Sequence, residues 1–245
     1  MDMTADGDDI VRREFRHGKV AYGFQWNRGN HQKLGNTDGD LAALWAHLSA
    51  VRAGNVPAAP FTDPFYRRAS SLRLSKMSAA RRVALRMKLM KSHAVVVNLE
   101  DDLVRRIRNY HRIRGDKSYT LNHAVLPDFL QDDPNSIAIE VPVYTARYRL
   151  TGHVDLVRFV DGHVQICDYK PGPLDSTKKR FLESIPQVAA YGEMMTHHLA
   201  GTLCSALDAP LLPTVRCAIF DTHSCWHFGA DMFVSLYESE RISGL

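Results

Sequence analysis

Two aspartates and a lysine carry the first chemical signal in this 245-residue chain. Asp155 sits in TGHVDLV, and Asp168 and Lys170 sit in ICDYKPG. Both segments read as strands, with Asp161-Gly162 between them as a two-residue hairpin turn. The acids of the two strands therefore converge across an antiparallel pair. Strand alternation puts Asp168 and Lys170 on one face and Cys167 and Tyr169 on the other. Paired carboxylates hold a hard, oxygen-loving cation such as Mg²⁺. Such a cation polarises a phosphoryl oxygen and lowers the pKa of a bound water. A lysine beside it orients that water or neutralises charge developing at phosphorus. The backbone carbonyl of Tyr169, between the two side chains, is a further oxygen ligand. The constellation suits phosphodiester hydrolysis by a metal-activated water. Alone it is weak, because D-x-K arises often by chance and a cross-strand acid–lysine pair is ordinarily a surface ion pair of small value.

The elements around it decide how much weight it bears. SIAIEVPVYTARYRL (136–150) has β-branched and aromatic residues at a period near two and predicts one strand. HVDLVRFV (153–160) and HVQICDYK (163–170) predict two more. A helix is expected from Lys179 to Leu207, then strands at Thr214–Phe220 and Cys225–Phe228 and a closing helix from Asp231. Upstream, Leu41, Leu44, Trp45, Leu48 and Val51 have helical spacing, with Thr37 or Asp38 as N-cap and Gly54 as terminator. NVPAAPFTDP (55–64) is expected to be a loop. Two basic helices follow, at 75–91 and 99–113. In the first, Arg81 and Arg86 either belong to a solvated face or form a rim that tracks phosphates. Residues 1–9 are polar, acidic and aperiodic, and read as a disordered tail. The expected organisation is a mainly helical region at 10–135 packed on a core at 136–245. The fold class is α/β (α+β), with a mixed central sheet flanked by helices.

Composition bounds the reading loosely. Hydrophobic residues make up 45% and charged residues 24%, enough for a substantial core, and the formal net charge is +4. A mild positive excess is compatible with a polyanionic partner without requiring one. No signal peptide and no membrane span are expected, so the chain is placed in the cytoplasm. Cys167, Cys204, Cys217 and Cys225 form no CxxC pair and read as reduced, mostly buried thiols.

The order of the motifs resembles the PD-(D/E)XK nuclease superfamily, and within it the RecB-like exonuclease branch. The resemblance runs from Ile137 to Tyr191. It comprises IEVPV with Glu140, GHVD with Asp155, DYK with Asp168 and Lys170, and QVAAY with Gln187 and Tyr191 on the next helix. It implies a restriction-endonuclease-like core and Mg²⁺ or Mn²⁺ held by Asp155 and Asp168. It further implies Lys170 as the catalytic lysine, Glu140 near the metal, and Gln187 and Tyr191 against the substrate strand. Otherwise Glu140 is an ordinary strand acid, and Gln187 and Tyr191 are a helix face packed on the sheet. RecB-like members often add a metal-binding histidine from an upstream helix. His93 is the first candidate, although the best register of its segment puts Val96 at that place, and His123 in LNHAV is the second. An iron–sulfur cluster is not expected, because no cysteine precedes Cys167 and the others are widely spaced.

The expectation is a metal-dependent nuclease acting on DNA ends or single strands, with a helicase or recombination partner supplied by another chain. The competing reading is a nuclease fold that binds DNA or a protein without cutting. An intact set of acids and lysine argues against it. A structural protein with coincidental hairpin motifs is the remaining alternative, which the four-part order disfavours.

Overall fold

The computed structural model describes residues 9–17, 20–38, 41–114, 123–171, 179–203 and 213–243. Residues 1–8 of the expected tail and Cys204 lie outside that range.

The first elements are strands β1 (Ile10–His17) and β2 (Val20–Asn27), followed by helices α1 (Arg28–Asp38), α2 (Ala42–Ala53) and α3 (Ala59–Thr62). Short strands β3 (Arg67–Arg68) and β4 (Arg73–Leu74) lead to α4 (Ala79–Lys91), β5 (Val96–Asn98), α5 (Asp102–Arg114) and α6 (Leu126–Asp132). The central strands β6 (Ser136–Thr145), β7 (Leu150–Val160) and β8 (His163–Tyr169) precede the long helix α7 (Lys179–Leu203). Strands β9 (Thr214–Phe220) and β10 (Cys225–Gly229), helix α8 (Met232–Glu238) and β11 (Ile242–Ser243) complete the described chain.

One mixed sheet runs in the order β1-β2-β6-β7-β8-β9-β10-β5, with β3 pairing in parallel beside β7. The β8–β9 pair is parallel, because α7 carries the chain between them, and the long path from β1 to β8 is antiparallel. This is a restriction-endonuclease-like mixed α/β fold. Helices cover both faces. The larger core lies between the sheet and α2, α7 and α8, around Leu48, Val188, Met194 and Phe233. A second core lies under α5 and α6, around Leu103, Ile107, Phe129 and Leu130. β6, β7 and β8 are covered on both sides, and nearly every residue along them is buried. Each large aliphatic residue buried there contributes about 1.5–3 kcal/mol.

Several expectations are corrected. The stretch 136–150 is not one strand: β6 ends at Thr145, and a turn with Arg149 at φ 50° starts β7 at Leu150. The alternating pattern ran through the turn because Tyr148 packs beside the main core. Thr37 and Asp38 do not cap α2, whose N-cap is Leu41 with no side-chain hydrogen bond; both end the preceding α1. Gly54 does end α2, at φ 77° in the left-handed region. The 55–64 loop contains α3, with Pro60 in its first turn, where a missing N–H costs nothing. Segment 10–135 holds helices α1 to α6 and also supplies strands that the sequence reading did not anticipate. Its β1–β2 hairpin forms one edge of the sheet and β5 forms the other. The Asp161-Gly162 turn forms as expected, both residues at positive φ. Among the described residues no helix is long and apolar enough to cross a membrane.

Candidate active site

The sheet is irregular where the acids lie. Ile139 and its partner Leu156 face the α5–α6 core, while Val141 and Val154 face the α7 core. Both strands therefore change face across Glu140 and Asp155. Glu140 carries the irregularity in its backbone, with φ at 52°. For a non-glycine residue that conformation costs roughly 1–3 kcal/mol, and such strain concentrates at functional positions. Asp155 and Asp168 stand one step beyond Leu156↔Cys167, the last paired residues of β7 and β8. There the Tyr169 N–H donates to Asp155 Oδ2 at 3.1 Å.

Lys170 follows β8 directly. Its backbone N–H donates to the Phe220 carbonyl on β9 at 2.9 Å, fixing the start of its side chain. Its ammonium lies 2.7 Å from Asp168 Oδ2 and donates to Gln187 Oε1 at 3.4 Å. Gln187 Nε2 in turn faces Asp168 Oδ1 at 3.3 Å and Tyr191 Oη at 3.1 Å. Cys167 and Tyr169 belong to the opposite core, as strand alternation requires. The glycine of GHVD has a steric reason: a Cβ on Gly152 would overlap Tyr191 Cε1. A side chain there would push α7 and its glutamine away from the acids.

Of the two histidine candidates, the structure brings His123 to the acids and leaves His93 away from them. His93 is exposed at the end of α4, just before β5, which β9 and β10 separate from β8. His123, at the head of the 3-10 turn His123–Val125, places Nε2 3.7 Å from Asp155 Oδ2. Its ring also hydrogen-bonds the Tyr169 backbone, so the carbonyl considered as a ligand faces this imidazole. Ligand atoms of His123, Glu140 and Asp155 all lie within 4.8 Å of one another. Asp168 adjoins this trio through Lys170 and Gln187. Arg81 and Arg86 lie on α4, which meets α7 through Arg82 and Glu183 at 2.8 Å, one turn before Gln187.

The electrostatics are those of a cation site. Three carboxylates face one ammonium, and Asp155 and Asp168 are only 7% and 1% exposed. Burial, then the charges of Asp168 and Glu140, hold the Asp155 carboxyl well above its usual range. Burial pushes Glu140 up to about 7. Burial also lowers the His123 pKa, favouring the neutral, metal-ligating imidazole. A divalent cation relieves the crowding of negative charge, and two carboxylates with an imidazole are donors that suit one.

A family model described as the PD-(D/E)XK nuclease superfamily matches residues 63–209, more than half of the chain. The chain belongs to the PD-(D/E)XK nuclease superfamily. The match encloses Glu140, Asp155, Asp168, Lys170, Gln187 and Tyr191, and also His123. Membership gives the chain a nuclease-type function, and nucleases of this superfamily generally use divalent metals. No curated protein matches the chain. Sequence reasoning ranked His93 above His123 because linear spacing was its only guide. The 3-10 turn that delivers His123 comes from a segment with no helical periodicity.

Proposed function

We propose that the protein is a Mg²⁺- or Mn²⁺-dependent deoxyribonuclease of the RecB-like type, acting on single strands or DNA ends. The observation that carries this reading is the convergence of Glu140, Asp155, Asp168 and Lys170 with His123 beside the C-terminal end of β8. Asp155, Glu140 and His123 are the ligands that would hold the ion, with Asp168 beside them. When bound, the ion supplies Lewis-acid polarisation of the phosphoryl oxygen and a more acidic water. Lys170 then orients the attacking water and offsets charge developing on the phosphate oxygens. Asp168 aims the lysine through their ion pair, and Gln187 holds both in register. Tyr191 fixes Gln187 and borders the substrate path. Arg81 and Arg86 on α4 extend a positive rim toward the strand's phosphates.

End-labelled single- and double-stranded DNA incubated with Mg²⁺, Mn²⁺ or EDTA, beside a Lys170→Ala control, tests the proposal. Metal-dependent cleavage absent from the control is expected, and the product ladder distinguishes end-trimming from internal cutting. Bound but uncut DNA under every condition would replace this reading with a non-cleaving binding module.

A further inference from the structure

Beside the acids, where β2, α3, β3 and β7 meet, a cavity of about 40 Å³ opens between Arg68, Ser70 and Thr151. That is room for more than one water-sized group. One polar atom of its lining is unspent. Thr151 Oγ1 is buried without a hydrogen-bond partner among the described residues, a state that costs stability unless something is to be bound there. Arg68 is exposed, and its guanidinium donates to Tyr22 Oη at 3.2 Å. Ser70 presents an exposed side chain at the same opening.

The aromatic wall defines what fits. Tyr22 stacks on His153 with ring centroids 3.4 Å apart and 9° between planes, and Phe61 lies against the same imidazole. No gap remains between these rings for a base to enter. A small anion meeting a guanidinium and two hydroxyls is what the cavity can take. The cavity also borders the catalytic acids. His153 is two residues before Asp155, Gly152 on its floor touches Tyr191, and Tyr22 lies close enough to Glu140 to feel its charge.

We infer that Arg68, Ser70 and Thr151 form a notch for one phosphate of the nucleic-acid strand, the neighbour of the phosphate held at the acids. The inference rests on the nuclease reading and adds to it a register for the substrate. Arg68, Ser70 and Thr151 lie within the part of the chain that matches the family, and the aromatic wall of Tyr22 and Phe61 lies outside it. Seating the adjacent phosphate fixes which linkage reaches Lys170. The phosphate is either an internal phosphodiester or the terminal monophosphate of a strand end.

The test walks a single uncharged methylphosphonate along a labelled oligonucleotide, with a parallel set bearing or lacking a terminal phosphate. Binding is measured by anisotropy with full-length Lys170→Ala protein, with and without Arg68→Ala, and cleavage with wild type and Arg68→Ala. At one position, neutralising the phosphate should weaken binding roughly tenfold or more when Arg68 is present and little when it is absent. Coupling at an internal linkage identifies a phosphodiester, and coupling only at the end identifies a terminal phosphate. Equal losses with and without Arg68 at every position would overturn the notch. Cleavage without any Arg68-dependent position removes the notch and keeps the nuclease. An Arg68-dependent phosphate without cleavage does the reverse. Thr151→Val separates binding from folding: it should raise Tm by removing a buried orphan hydroxyl, yet weaken binding. A lower Tm with unchanged binding would make Thr151 structural and count against the notch.

Discussion

Two buried clusters of charge share this sheet, and they are built on opposite terms. At the Asn135 end of β6 and β7, Arg158 is buried against Asp133 at 2.7 Å and reaches Asp102 at 2.8 Å and Gln165 Oε1 at 3.2 Å. Arg106 joins both aspartates, and Ser136 Oγ donates to Asp133 at 2.6 Å. Two guanidiniums meet two carboxylates, and the oxygens are occupied. Nearby Asp101, Cys225 and His227 also bring ligand-type atoms within 4.8 Å. There His227 closes on Asp101 at 2.7 Å, and the positive charge of Arg158 bears on Asp101. In the acid site, by contrast, Glu140, Asp155 and Asp168 lie close together on an irregular backbone, with one lysine paired to Asp168. Balanced charge satisfies the fold, whereas unbalanced buried charge of this kind marks a candidate functional site and suits a cation.

The largest effect that separates the two clusters is catalytic. Lys170→Ala and Asp168→Asn should each lower cleavage by roughly 100- to 1,000-fold or more, while circular dichroism and thermal melts show a folded protein. Asp155→Asn should abolish cleavage and hold or raise Tm in EDTA, because it removes a charge repelled by its neighbours. Unfolding of Asp155→Asn would show that this acid is structural and would erase the contrast.

Arg158→Met should behave in the opposite way. Removing one partner of a buried pair leaves Asp133 uncompensated and costs about 3–5 kcal/mol, read as a lower urea midpoint. Cleavage per folded molecule should be unchanged. Full stability with abolished activity would move this network into the catalytic machinery.

A smaller effect follows from pH. Folding raises the Glu140 pKa from 4.5 to about 7. Its burial costs nothing below the unfolded value and weighs increasingly on the folded state as pH rises through the folded one. In EDTA, Glu140→Gln should match wild type near pH 4 and become the more stable protein by pH 8. Added Mg²⁺ should raise the wild-type Tm more at pH 8 than at pH 5.5 and raise that of the variant less. A stability difference that does not change with pH would mean that Glu140 is not a strained acid.

The contrast also explains what the sequence made legible. The β7–β8 hairpin was readable because Asp161-Gly162 fixes the turn and the turn fixes the register, which sets Asp155 opposite Asp168. Strand alternation put Lys170 on the face of Asp168, whereas Gln187 was legible only through the resemblance to the superfamily. The local change of face at Glu140 was not readable, since no residue type announces a positive φ at glutamate. His123 was ranked second because its proximity to Asp155 is a tertiary fact. The β1–β2 hairpin was missed because charged residues dilute IVRREFRH, yet Tyr22, Phe24 and Trp26 recur at a spacing of two and give a strand signal. The Arg158 network spans Asp102 to Gln165 in sequence and left no local pattern at all.

The smallest effect concerns charge on the surface of one helix. On α4, Arg82 is committed to Glu183, whereas Arg81 is exposed and contributes its backbone N–H to the Ser78 cap. Arg82→Ala should loosen the junction of α4 with α7 and lower Tm slightly, since a partly exposed pair is worth at most about 1 kcal/mol. The pair Arg81→Ala and Arg86→Ala should instead leave the α4–α7 junction intact and act on DNA binding. Each phosphate that the protein no longer neutralises reduces the slope of log K against log salt by about 0.7 on single strands and about 0.9 on duplex. A double variant whose slope falls by one to two such steps places α4 along the strand. An unchanged slope makes α4 a solvated face, and the positive path to the acids must then run past Arg68.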